Sequence, residues 1–121
     1  MVMDTMVTAE KVERTDLDAG ARELDGFVRL RLRGPITAAR AAEVRDFIRR
    51  CVAAGDTRVL IDLQAVTALD ACGIAVLLEG TKRVALEENG ALVLLVNRTV
   101  SRALKASGTV SAFRVWTECL A

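Results

Sequence analysis

The sequence predicts a single α/β domain with a mixed sheet of four to five strands, mostly parallel, and about three main helices. Three observations lead to this prediction. Short apolar runs typical of covered strands alternate along the chain with amphipathic helical patterns. Strands that are joined through helices run parallel to one another. A strong turn signal, Asp25–Gly26, precedes an alternating strand and adds one antiparallel edge strand. The predicted order is β-β-α-β-α-β-α-β.

The N-terminal part of the chain gives the weakest signals. Residues 1–18 carry mixed charge without clear periodicity, so we interpret them as a tail or a loosely held edge segment and expect the domain over residues 19–121. Residues 19–24 are the predicted first strand. Residues 27–33 then alternate between apolar side chains and arginines, as in a strand with one buried face. We interpret the arginine face as solvated, with a phosphate or partner contact as the alternative. The arginines are Arg29, Arg31 and Arg33.

The first helix is predicted over residues 38–54. Gly34–Pro35 ends the preceding strand, and Thr37 stands where a helix N-cap is expected. Cys51 falls on the apolar stripe, so we expect it to pack in the core. The stripe consists of Ala41, Val44, Phe47, Ile48, Cys51 and Val52.

The centre of the chain reads as a strand, a loop and a second helix. Residues 59–63 are an apolar run typical of a covered strand, residues 64–69 are predicted to be a loop, and Asp70 is a good N-cap. The helix is expected to end near residues 87–88, before Asn89–Gly90. Sites in open α/β sheets usually lie beyond the carboxyl ends of the strands, which is where this helix begins. The predicted inward residues are Ile74, Leu77, Leu78, Thr81, Val84 and Ala85.

Two further strands, with a third helix between them, complete the predicted sheet. Residues 91–96 form a continuously apolar strand, and a third helix starts within residues 97–99 and ends at Gly108. Residues 113–116 form the last strand. The third helix is expected to turn Val100, Ala103, Leu104 and Ser107 inward.

The composition excludes several classes of function. Histidine is absent, which excludes Ser–His and Cys–His nucleophile pairs and histidine-ligated metals. The net charge is +1 and aromatic residues are few, so neither nucleic acid nor a membrane surface is an expected partner. The cysteines are three and widely spaced, which fits neither a zinc site nor a disulfide framework. We therefore expect no metal and no cofactor, and a cytoplasmic location, since no secretion signal or membrane span is evident.

Three stretches resemble the STAS domain family, and within it the bacterial anti-sigma factor antagonists, over about residues 20–117. The first is an aspartate at a helix start followed by two small residues, a glycine and an isoleucine. The second is an acidic residue with Asn–Gly before a buried strand, and the third is a short helix closing on Ser–Gly. These stretches are Asp70–Ile74, Glu88–Gly90 and Arg102–Gly108.

The resemblance implies a binding function rather than catalysis. In that family the residue before the glycine is usually Ser or Thr, and a cognate anti-sigma factor that is itself a Ser/Thr kinase phosphorylates it. The unphosphorylated antagonist binds the anti-sigma factor and frees the sigma factor, whereas the added charge abolishes binding. The implied partner-binding residues are Asp70, Ala71, Cys72, Gly73, Ile74, Pro35 and Thr37.

This sequence departs from the family pattern at the acceptor position. The matching residue is Cys72, and Ala71 precedes it, so neither can accept a phosphoryl group from a Ser/Thr kinase. The turn at residues 34–37 also lacks the acidic residues that are common in relatives. Three interpretations of Cys72 stay open: a small residue that fills the loop, a lost phosphorylation switch, or a redox-responsive thiol. A helix N-terminus favours a thiolate, but the carboxylate of Asp70 opposes it.

Other functions stay open beside the antagonist. A STAS-like domain can be a scaffold or an accessory subunit of a sensory or transport complex, and a homodimer is compatible with the sequence. An enzyme is the least favoured class, because the chain has neither a phosphate-binding glycine loop nor clustered carboxylates. Asp62 and Asp70 are better explained as a strand residue and a helix cap than as a catalytic pair.

Overall fold

The computed structural model describes residues 7–11 and 26–117. The helices of this part of the chain are α1 (Ala38–Ala53), α2 (Ala71–Ala85) and α3 (Arg98–Ser107), and a short 3-10 helix spans Val110–Ala112. The strands are β1 (Val7–Lys11), β2 (Val28–Ile36), β3 (Arg58–Leu69), β4 (Ala91–Val96) and β5 (Arg114–Thr117).

The strands form one sheet in the order β1-β2-β3-β4-β5. Strands β2 to β5 are parallel, because a helix connects each to the next, and β1 pairs with β2 in the antiparallel direction. The predicted α/β architecture is confirmed, with its mostly parallel sheet, one antiparallel edge strand and three main helices.

The antiparallel edge strand does not occupy the expected position. Strand β1 pairs with β2 from Val7 opposite Leu32 to Lys11 opposite Val28, whereas the strand was predicted at residues 19–24. Those residues and Asp25 lie outside the described part of the chain. Gly26 does adopt a left-handed backbone, with φ of 90°. An Asp–Gly pair marks a turn, but this signal does not determine which preceding stretch of the chain pairs with β2.

Both faces of the sheet carry buried apolar side chains. Val59, Ile61 and Leu63 of β3 face the helices, and Leu60 faces the opposite side; all four are buried. This explains why β3 and β4 read as continuous apolar runs instead of alternating ones. The helices add their stripes to the larger cluster, with Val44 and Ile48 from α1 and Leu77 from α2. The smaller cluster on the opposite face consists of Phe27, Leu60, Val93 and Leu95.

Three predicted boundaries are corrected. Gly34–Pro35 was expected to end the strand, but β2 continues through both residues to Ile36, because they pair with β3 across a register shift. Residues 64–69 were expected to be a loop, but β3 continues through them to Leu69. The apolar run stops at Leu63 because residues 64–69 of β3 are more exposed than the first half of the strand. Register shifts in the pairing with β2 also interrupt the alternation of buried and exposed side chains. Helix α2 ends at Ala85 rather than near residues 87–88. Asn89 nevertheless takes the left-handed conformation expected of a stop signal, with φ of 60°.

Candidate functional site

The end of β2 and the second half of β3 extend together beyond the rest of the sheet. Pro35 pairs with Ala68 and Ile36 pairs with Leu69, whereas the pairing of β3 with β4 runs only from Arg58 to Asp62. We call this two-stranded part, residues 33–36 and 65–69, the projection. Helices α1 and α2 both begin directly after it, so the predicted site residues on the two chain segments are brought to one end of the sheet.

The side chain of Asn97 supports the projection where β4 ends. Its amide nitrogen donates to the carbonyl oxygens of Gln64 at 3.0 Å and Val66 at 2.9 Å. Its amide oxygen accepts from the backbone N–H of Val100 at 2.8 Å and so caps α3. The sequence identified the start of α3 here but gave no sign of the bonds to β3, because they join residues far apart in the chain.

Asp70 caps α2 as predicted and ties the helix to β2. Its carboxylate accepts from the backbone N–H of Gly73 at 2.9 Å, and its carbonyl accepts from the N–H of Ile74 at 3.0 Å. Its own N–H donates to the carbonyl of Ile36 at 3.3 Å. Thr37 occupies the corresponding N-cap position of α1, but its side chain makes no capping bond.

Gly73 lets α2 approach the projection closely. A Cβ atom at this position would lie 2.6 Å from the carbonyl oxygen of Ile36 and 2.7 Å from a methyl carbon of Leu69. The glycine is therefore required by space rather than by an unusual backbone conformation. The position of Cys72, one residue earlier, is fixed by this contact.

The structure separates the seven predicted partner-binding residues into three groups by their exposure. Gly73 and Ile74 are buried, Ile74 being only 7% exposed, so they shape the helix start from inside. Thr37 is half-buried. The remaining residues form an exposed surface that we call the rim. Its members are Pro35, Asp70, Ala71 and Cys72.

The two cysteines in the described residues have opposite environments. Cys72 is exposed, and Cys51 is buried on α1 as predicted. Burial raises the pKa of the Cys51 thiol above its ordinary value of 9.0; the charge of Asp56 adds to this, and Arg50 opposes it. Cys72 is thus the more accessible of these two thiols. Cys119 lies outside the described residues.

The arginine face of β2 is only partly solvated. Arg31 and Arg33 are exposed, as predicted, but Arg29 is buried at 6% exposure. The buried Asp62 on the neighbouring strand pairs with Arg31, whose Nε lies 3.4 Å from Oδ2. The other oxygen of Asp62 accepts from the N–H of Gln64 at 3.0 Å. Both carboxylate oxygens of Asp62 therefore have partners within the sheet. The alternating arginines did not indicate that their face of the sheet also carries a buried apolar cluster, which includes Phe27.

Within residues 7–11 and 26–117, no group of three or more Cys, Asp or Glu residues is arranged to hold a metal ion. No helix in the same segments is long and apolar enough to cross a membrane.

Comparison with protein families identifies the fold. A model of the STAS domain matches residues 18–118, which is most of the chain. The chain therefore belongs to the STAS domain family. No curated protein sequence matches it.

Solved structures agree with this assignment. A candidate anti-sigma factor antagonist from Thermotoga maritima superposes with a TM-score of 0.73 at 14% identity, covering 95% of this chain and 88% of that one. An anti-sigma factor antagonist from Mycobacterium paratuberculosis gives 0.66 at 21% identity, covering 91% and 85%. The phosphorylated form of the Bacillus cell fate determinant SpoIIAA gives 0.62 at 19% identity, covering 93% and 92%. At these identities the likeness shows a shared fold.

Proposed function

We propose that this chain is an anti-sigma factor antagonist that binds an anti-sigma factor of the Ser/Thr kinase type in the bacterial cytoplasm and so frees a sigma factor. Two of the similar structures are described as antagonists or candidate antagonists of this kind. The observation that carries the proposal is the exposure of Cys72 on the rim. The resemblance to the family implies that this is the position of the phosphorylated hydroxyl. The protein acts in this proposal by binding alone and catalyses no reaction.

The rim has properties suited to docking. Ala71 and Cys72 are small and exposed, so a partner surface can come close to the first turn of α2. The tight contact of Gly73 with Ile36 holds this turn in one position, which lowers the entropy cost of binding. An added negative charge inside such an interface would have to be desolvated and would repel acidic groups of the partner.

We further propose that phosphorylation does not inhibit binding of this chain to its anti-sigma factor, as it does in the family; we call this inhibition the brake. SpoIIAA is known in a phosphorylated form, whereas the thiol of Cys72 and the methyl group of Ala71 accept no phosphoryl group from a Ser/Thr kinase. The complex of this chain with its anti-sigma factor should then persist in the presence of ATP. A serine at position 72 should make binding sensitive to phosphorylation, because it places a hydroxyl at the position that the resemblance implies for the acceptor.

The test begins with the anti-sigma kinase that co-purifies with the chain from its native cytoplasm. The purified kinase is titrated with the wild type, Cys72→Ser and Cys72→Asp, with and without ATP. Thr99→Asp is the matched control, because Thr99 is exposed at the same second position of α3 as Cys72 is of α2. An aspartate near a helix N-terminus is favourable in both variants, so both should fold.

The expected results separate binding from phosphorylation. Wild type, Cys72→Ser and Thr99→Asp bind alike without ATP, and Cys72→Asp binds at least about tenfold more weakly. With ATP, only Cys72→Ser becomes phosphorylated at the rim and dissociates.

Equal binding of Cys72→Asp and wild type would show that the rim is not part of the interface. Phosphorylation of the wild type would show that the brake is present elsewhere, for example at Thr67, an exposed hydroxyl on β3. Isolation of only transporter or sensory components would favour an accessory subunit instead.

A further inference from the structure

A groove lies between α1 and α2, away from the rim. Its volume is about 290 Å³, and the buried side chains of Ile48 and Val76 contribute to its lining. Leu86 lies at one end and is 79% exposed, which makes it the exposed large apolar residue of the described part of the chain. Leu86 follows Ala71 by fifteen positions, so it lies about 22 Å from the rim along the helix axis. The groove is therefore a separate apolar surface.

The walls of the groove are strongly basic. Arg45 and Arg49 line it from α1, and Lys82 and Arg83 line it from α2. The chain as a whole has 17 basic and 16 acidic residues, so this concentration of positive charge is local. Glu79 is the acidic residue among those lining the groove.

Two of the four basic side chains are already paired. Arg45 donates to Glu79 across the helix pair at 3.1 Å, and Arg83 donates to Glu87 at 2.9 Å. Arg49 and Lys82, in contrast, make no ion pair within residues 26–117. The groove thus offers an apolar surface between two cationic groups that are available to a ligand.

We propose that this groove binds an acidic amphipathic helix of a partner protein. Apolar side chains of that helix would pack on Ile48, Val76 and Leu86, and its carboxylates would pair with Arg49 and Lys82. A groove between two helices is a common receptor for such a segment. A second copy of this chain is disfavoured as the occupant, because a symmetric contact would place the same basic walls opposite each other. The proposal does not depend on the function assigned to the rim.

The probe is a short designed helical peptide with leucines on one face and glutamates on the other. Fluorescence anisotropy of the labelled peptide gives its affinity for the full chain, and amide chemical shifts of the 15N-labelled chain locate the contact. Lys82→Glu and Leu86→Ser are the test variants. Lys105→Glu is the matched control, since Lys105 lies in the last turn of α3 as Lys82 does in that of α2. All three residues are exposed, so the variants should fold.

We expect shifts that cluster at the facing residues of α1 and α2. Lys82→Glu should lower the affinity for the peptide about tenfold and Leu86→Ser about threefold, while Lys105→Glu should leave it unchanged. A peptide of the same composition in scrambled order should bind much more weakly. The proposal is overturned if the scrambled peptide binds equally, if Lys105→Glu weakens binding as much as Lys82→Glu, or if the shifts map to the rim. It is also overturned if only a fatty acid such as palmitate occupies the groove, or if Leu86→Ser abolishes self-association instead of peptide binding.

Discussion

The carbonyl oxygen of Ile36 lies so close to the Cα of Gly73 that a Cβ atom there would come within 2.6 Å of it. This contact joins the end of β2 to the first turn of α2 and fixes the rim. The oxygen belongs to the backbone of a paired strand, so it cannot move away as a side chain could.

Substitution of Gly73 therefore tests the support of the rim. We expect Gly73→Ala to lower the free energy of unfolding by about 1 to 3 kcal/mol, the usual cost of overpacking. Gly80→Ala is the matched control, since its close contact, 2.7 Å, is with the flexible Cδ1 of Ile48. It should cost less than Gly73→Ala in urea denaturation. A Gly73→Ala protein as stable as the wild type would show that the contact is easily relieved.

The N-caps of α1 and α2 give a second prediction. Asp70→Ala removes the bond from the N–H of Gly73 and should lower the free energy of unfolding by about 1 kcal/mol. Thr37→Ala should change it by much less, because the Thr37 side chain makes no capping bond. Thermal and urea unfolding of the two variants provide the measurement. Similar losses would mean that the capping bond of Asp70 contributes little.

Patterns within single elements were enough to predict the parallel strands and the helices. The apolar runs of β3 and β4, and the stripe that includes Val44 and Ile48 of α1, identified the sheet and the helices, because burial on the sheet imposes these periods directly on the sequence. The Asp70 cap was also predictable, since donor and acceptor are only three residues apart.

Features that depend on distant partners were not predictable. The continuation of β3 past Leu63 depends on pairing with β2 and on the side chain of Asn97, and neither leaves a periodic signal. The predicted apolar stripe on α2 was also partly wrong, because it included Ala85, which is exposed, and omitted two buried residues. Val76 and Gly80 are buried, and Gly80 lies close to Ile48 of α1 and Leu92 of β4, so its burial depends on where α1 crosses α2. The groove could not be anticipated for the same reason.

The buried thiol of Cys51 makes stability depend on alkaline pH. Because burial raises its pKa above 9.0, the folded protein keeps the thiol proton at pH values where the unfolded chain has lost it. The protonated thiol therefore contributes its full stabilisation below the ordinary pKa, and this stabilisation is lost as pH rises through the raised pKa of the folded protein. We expect the decline in the free energy of unfolding above about pH 9 to be smaller in Cys51→Ala than in the wild type. Val52→Ala, a neighbouring core truncation, should keep the wild-type decline, and equal slopes in all three proteins would contradict the assignment.

Asp70 and Asn97 both cap helices, but we expect Asp70→Asn and Asn97→Asp to have different effects on stability. Both types cap helices equally well, so Asp70→Asn should change the free energy of unfolding by less than about 0.5 kcal/mol. Asn97→Asp keeps the acceptor for Val100 but removes the two bonds that the Asn97 amide donates to Gln64 and Val66. It also places a carboxylate against two carbonyl oxygens, so we expect the free energy of unfolding to fall by about 1 to 3 kcal/mol.

Urea denaturation of the two variants measures the difference. Since the amide bonds hold β3 within the projection, hydrogen exchange at residues 65–69 should accelerate only in Asn97→Asp. Equal stability of the two variants would show that the projection is held by its pairing with β2 alone.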